Sequence, residues 1–187
     1  MARWVALMRG VNIGRRRLAM ADLRRALEAA GCSGVTTYLQ SGNAVADVPS
    51  AAGATAGSVG PWLEGIIGAA AGFEVPVVVR SGTEMAAVVA ANPYPGAGGS
   101  ALHVIFYRPG PQPGPVAEQA VARIDPEAFA PESCTARDDD LYLHLPGGIG
   151  RSALAKAVDT AARRKPALMG TARNWNTVTE LAALADG

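Results

Sequence analysis

Aromatic residues make up only 5% of this 187-residue chain, so leucine, valine and alanine must supply most of any core. Cysteine is scarcer still. Cys32 and Cys134 are too few for a disulfide framework, and free thiols in a reducing cytoplasm are the expected state. Histidine occurs only as His103 and His144, and neither Cys-x-x-Cys nor His-Glu-x-x-His is present. No metal site and no cofactor are therefore expected. No apolar run approaches the length needed to cross a bilayer, and residues 1–9 hold too short an apolar core for a signal peptide. A cytoplasmic protein with no membrane partner is the expectation. What the chain does have is a hydrophobic share of 49%, enough to build a core and to argue against disorder.

The formal net charge of +1 conceals two basic zones. Residues 1–25 hold seven arginines against Asp22 alone. Residues 150–175 hold Arg151, Lys156, Arg163, Arg164, Lys165 and Arg173 against Asp159 alone. The stretch between them is acidic. Such zones are either ordinary solvated faces or attractors for an anionic ligand.

Hydrophobic periodicity divides the chain into two runs of β-α-β-β-α-β. The first run predicts a strand over 3–9, a helix over 18–30 and strands over 35–41 and 44–48, joined through Gly42-Asn43. A loop over 49–60 follows, then a helix from Pro61 to about Gly72 and a strand over 75–79. Ser81-x-x-Glu84 reads as a capping box that opens a further helix. After a glycine-rich stretch, the second run predicts a strand over 102–107, a helix over 116–124, and a hairpin of 133–137 with 141–145. A helix over 151–164, a strand over 167–172 and a last helix complete it, with Asn174 or Asn176 as candidate cap. The expected fold is therefore α+β: two ferredoxin-like βαββαβ subdomains packed together. The expected division is 1–81, a helix and linker at 82–101, and 102–187.

Four segments carry candidate chemistry. Arg9-Gly10-Val11-Asn12-Ile13-Gly14 runs into Arg15-Arg16-Arg17. Its glycines let the backbone turn, and its guanidinium groups suit phosphate or carboxylate. The same loop serves equally well as a surface turn. Gln40-Ser41-Gly42-Asn43 closes the first hairpin. His144-Leu145-Pro146-Gly147-Gly148-Ile149-Gly150-Arg151-Ser152 leads a strand into a helix, whose N-terminus favours an anion. It is neither a Walker loop nor a dinucleotide fingerprint. Arg173-Asn174-Trp175-Asn176-Thr177 either caps the last helix or forms a stacking and hydrogen-bonding platform.

Those segments, with Tyr38-Leu39 and Leu141-Tyr142-Leu143, resemble in order the bacterial family catalogued as domain of unknown function 1697. The resemblance implies a cytoplasmic α+β protein of two subdomains with no established reaction. This chain carries Arg15-Arg16-Arg17 where the family usually has Gly-Lys, and Ala153 and Ala172 where a lysine and a threonine are common.

The functional expectation is an uncharacterised protein that binds an anionic ligand at a basic cleft between the halves. A nucleotide, a phosphorylated small molecule or a nucleic acid would fit. The expected ligand-binding residues are Arg9, Gly10, Asn12, Gly14, Gln40, Ser41, Asn43, Gly148, Gly150, Arg151, Ser152, Arg173, Asn174, Trp175 and Asn176. The alternatives are a hydrolase or transferase using His144 or Asp138–Asp140, and a non-catalytic interaction module. No catalytic step, and no oligomeric state, follows from the residues.

Overall fold

Alternation along Ala2–Met8 decides the first strand. Trp4, Ala6 and Met8 join the buried cluster on one face, while Val5 and Leu7 are buried on the other. The computed structural model describes residues 2–110 and 113–186. The chain divides into two units, Met1–Ala87 with Glu180–Gly187, and Val88–Thr179.

In the first unit the order is β1 (Ala2–Met8), α1 (Met20–Ala29), β2 (Ser33–Thr37), β3 (Asn43–Val48), α2 (Ala56–Ala71) and β4 (Val77–Ser81). The strands form one antiparallel sheet in the order β2-β3-β1-β4. Leu23 and Leu27 of α1, with Val59, Leu63 and Ile67 of α2, pack on Trp4, Ala6, Ala44, Ala46, Val77 and Val79. This is the ferredoxin-like arrangement. The helix α3 (Gly82–Ala90) follows β4 directly. Ser81 Oγ accepts from the Glu84 amide, and the Glu84 carboxylate accepts from the Ser81 amide at 2.6 Å, the reciprocal pairing expected from the sequence.

The second unit repeats the pattern with β5 (Leu102–Tyr107), α4 (Val116–Val121), β6 (Ser133–Arg137), β7 (Asp140–His144), α5 (Ala153–Ala162) and β8 (Gly170–Asn174). Its sheet order is β6-β7-β5-β8, again antiparallel. Val116, Ala117 and Ala120 of α4 and Leu154 and Val158 of α5 pack on Tyr107, Leu141 and Leu143. The last helix, α6 (Trp175–Ala185), continues from β8.

The repeat reaches individual positions. Val5 pairs with Arg80 and Val104 with Arg173, so each sheet holds an arginine beside its central strand. Both arginines are buried. Arg9 donates its amide to Pro76 O, and Arg108 donates to Met169 O, each at 2.8 Å. Trp4 pairs with Ser81, the cap of α3, and His103 pairs with Asn174, the cap of α6. The correspondence is one of position and, at the arginines, of residue type.

Several boundaries differ from the sequence reading. The second helix starts at Ala56, five residues before Pro61, because Thr55 stands as its N-cap and donates its amide to Ser58 Oγ. Pro61 lies inside the helix and forgoes one backbone bond. Strand β2 ends at Thr37, since Tyr38–Gly42 form the turn, with Leu39 and Gly42 at positive φ. The last strand of each unit lies two or three residues later than expected, at Val77–Ser81 and Gly170–Asn174, where pairing with the central strand sets the register. The helix predicted over 116–124 stops at Val121, and α6 begins at Trp175, ahead of Asn176.

Candidate functional site

The arginine loop and the first hairpin meet at one end of the first sheet. Asn12, at φ +55, donates its Nδ2 to Gln40 O at 2.7 Å and to Leu18 O at 3.0 Å, while its Oδ1 accepts from the Leu18 amide. One side chain thus closes its own loop and ties it to the hairpin. Gly42 cements the join. Its amide neighbour across the gap is Met8, which donates to Gly42 O at 2.9 Å, and a Cβ on Gly42 would collide with Val11 and Met8. Asn43 is fully buried, with Nδ2 donating to Tyr38 O and Ser41 Oγ. These amides hold the two loops together, so the carriers of charge there are the arginines.

Arg15, Arg16 and Arg17 are exposed. Gly14, at φ +58, turns the chain between Ile13 and Arg16, whose backbone groups bridge at 3.1 Å. The Arg16 guanidinium lies 4.6 Å from the centroid of the Phe73 ring and donates to Glu74 O. Among the described residues, Arg15 and Arg17 make no hydrogen bond or ion pair. Arg24 extends from α1 to Thr37 Oγ1 at the mouth of the hairpin, at 3.4 Å. Arg25 pairs with Asp22 and is thereby neutralised. Arg9 and Gly10 are half-buried at the loop's base.

The second unit also gathers its two motifs at one end of its sheet, since His144 pairs with Leu102 and Asn174 with His103. Their polar groups serve the helices. Ser152 Oγ accepts from the Ala155 amide at 2.8 Å, and Glu132 Oε2 accepts from the Leu154 amide at 2.9 Å. A carboxylate of the chain thus occupies the helix end where the sequence suggested an external anion. Gly148 and Gly150 shape a short 3-10 turn that leaves Arg151 exposed. Asn174 Oδ1 accepts from the Thr177 amide at 2.9 Å and caps α6. Asn176 lies so close to Gly99 that no Cβ fits there. Trp175 leans on Tyr142, ring centroids 6.5 Å apart. Arg173 is only 7% exposed and donates to Thr171 Oγ1 and Ala172 O, and burial pushes its guanidinium down to about 10, still charged at neutral pH. It is a buried structural cation rather than a surface donor.

The residues named for chemistry have similar duties. The His144 ring stacks on Tyr94 at 5.4 Å, and Asp139 Oδ1 accepts from the Val116 amide at the start of α4. Asp138 is a turn residue at φ +49. Two features escaped the sequence reading: the Glu132 cap, and the exposure of Ile13 and Leu39 on the joined loops. The first had no local signal, because Glu132 lies far from α5 in sequence.

The family model described as "Protein of unknown function (DUF1697)" matches residues 1–142. The chain belongs to this family. Within DUF1697 the matched stretch includes the arginine loop, the first hairpin and the strands through β6, and it ends inside β7. No curated protein matches the chain. Among solved structures it is similar to the conserved bacterial protein SP0830 from Streptococcus pneumoniae, with a TM-score of 0.77 and 19% identity over 100% of this chain and 99% of that one. That likeness is one of fold. Among the described residues, no helix is long and apolar enough to cross a membrane.

Proposed function

We propose that this DUF1697 protein binds a phosphate-bearing anion at the arginine end of its first unit: a nucleotide, another phosphorylated molecule or a nucleic acid. The observation that carries the reading is the Asn12 tie. It fixes the arginine loop against the hairpin at 2.7 Å and leaves Arg15 and Arg17 exposed without an acidic partner among the described residues. Arg16 and Arg24 flank them, each held by a carbonyl or hydroxyl that leaves its charge uncompensated. Like charges held together on a rigid loop repel, and a bound anion relieves that repulsion. Guanidinium groups also present paired donors that match phosphate oxygens.

Fluorescence anisotropy with labelled nucleotides and short oligonucleotides, over a series of salt concentrations, tests the reading. Binding should weaken as salt rises and should be lost in an Arg15→Gln/Arg16→Gln/Arg17→Gln variant that keeps its melting temperature. Salt-independent binding, or equal affinity in the variant, would overturn it.

A further inference from the structure

We infer that Ile13 and Leu39, with the arginines of the same loop, dock the first unit on an anionic lipid surface. Three large hydrophobic side chains are exposed among the described residues: Ile13 at 68%, Leu39 at 53% and Ile149 at 40%. The two most exposed stand beside Asn12 and Gln40, the residues joined by the 2.7 Å bond. Leu39 is held at φ +57, a region that bulky side chains rarely adopt and that Asn or Gly would fill with less strain. The turn that holds it is closed on both sides, by the Tyr38 amide on Asn43 O and by Asn43 Nδ2 on Tyr38 O. The strain and the exposure thus coincide on one side chain, a combination that turn formation alone does not require.

The occupant follows from the two chemistries side by side. It must offer anionic groups to Arg15 and Arg17 and an apolar medium to Ile13 and Leu39. A free phosphate has no apolar part. A nucleic-acid strand offers flat bases, which stack on aromatic rings. The rings near this end are engaged or half-buried: Phe73 lies under Arg16, and Tyr38 is partly covered. A protein partner of standard size covers roughly 800 Å² on each side, far more than two tip side chains provide. An anionic bilayer supplies headgroup charge at its surface and acyl chains just beneath, and it takes aliphatic tips with a basic collar. The contact is peripheral, and it departs from the expectation of no membrane partner, which rested on the lack of a spanning segment.

The inference rests on the anion-binding reading for its arginines and adds the two aliphatics. Its test is co-sedimentation of the full chain with vesicles of phosphatidylcholine alone, and with vesicles of equal parts phosphatidylcholine and phosphatidylglycerol. The chain should pellet with the mixed vesicles and stay in solution with the neutral ones. An Ile13→Ser/Leu39→Asn variant should bind the mixed vesicles about tenfold more weakly, since it loses only the apolar part of the contact. Its binding of a labelled oligonucleotide should be unchanged. Arg15→Gln/Arg17→Gln should lose both. Ile13→Trp gives an independent readout, a blue shift of emission on the mixed vesicles. No pelleting, or equal pelleting by the aliphatic variant, would overturn the inference and leave solution anion binding standing. Weaker oligonucleotide binding by the aliphatic variant without pelleting would make the pair a nucleic-acid wedge instead. Loss of both vesicle and oligonucleotide binding in the wild-type chain would remove both readings together.

Discussion

Asn12 and Gln40 lie 28 positions apart, and a single 2.7 Å hydrogen bond from the Asn12 side chain to the Gln40 carbonyl joins the loops that carry them. The same side chain makes two further bonds to Leu18. Asn12→Ala should therefore cost about 1–3 kcal/mol, through lost hydrogen bonds and a left-handed backbone that alanine resists. Hydrogen exchange gives a local readout, because the Leu18 amide should lose its protection. Asn12→Gly relieves the backbone strain but not the missing bonds, so its Leu18 amide should exchange as fast as in the alanine variant. A protected Leu18 amide in both would show that the tie is dispensable.

Two glycines of this region should respond unequally to the same change. A Cβ on Gly42 would collide with Val11 and come within 2.9 Å of Met8 Cβ, at φ +83. Gly14, at φ +58, has nothing within 4 Å. Gly14→Ala should cost about 1 kcal/mol from the backbone alone, and Gly42→Ala should cost about 2–4 kcal/mol because packing strain adds to it. Urea unfolding of the two variants orders them, and equal losses would contradict the packing argument.

His103 titration should make the second unit acid-sensitive. The ring is 7% exposed, its Nδ1 has no hydrogen-bond partner among the described residues, and burial holds its pKa below the ordinary histidine value. The unfolded chain then binds the proton more readily than the folded one, so stability is full above the ordinary value and falls as the pH drops through the folded one. The melting temperature of the wild-type chain should decline as the pH falls below the ordinary histidine value of about 6.5, and His103→Leu should flatten that decline. Parallel curves for the two proteins would show that His103 does not carry the dependence.

The start of α5 should behave as a structural cap rather than as an anion site. Ser152→Ala and Glu132→Gln each weaken one amide contact and should each cost on the order of 1 kcal/mol. Oligonucleotide affinity should stay at the wild-type value in both. Weaker binding in either variant at unchanged stability would bring this helix end back into the ligand site.

The strands that read clearly were those whose residues allow one answer. Leu102–Tyr107 is apolar apart from His103 and bounded by Ser100-Ala101 and Arg108-Pro109, and the structure gives the same limits. Tyr38 and Leu39 look equally strand-like, yet a buried Asn43 takes the Tyr38 carbonyl and bends the chain into a turn. The start of α2 was hidden because its hydroxyl cap lies in an alanine and glycine stretch with little periodicity. At the site, the arginine run was plain in the sequence. The burial of Arg173 was not, since the sequence placed it just past a strand ending at residue 172, and only the pairing of Arg173 with Val104 puts it on β8 and under cover. Asn174 was one of two candidate caps, and only its position relative to the helix start decides between them.

The Arg3 guanidinium donates from Nε and Nη2 to Leu184 O, at 3.1 and 2.9 Å, and Ala185 O stands 2.6 Å from where a Cβ on Gly82 would be. The first unit is therefore completed by residues 180–187, which the ribosome adds only after all of the second unit has been made. During translation the leading sheet must wait, with Arg3 paired to Asp47 but lacking its Leu184 carbonyl, while the later unit emerges and folds. A nascent chain arrested near residue 100 should accordingly be more open to protease than one released whole.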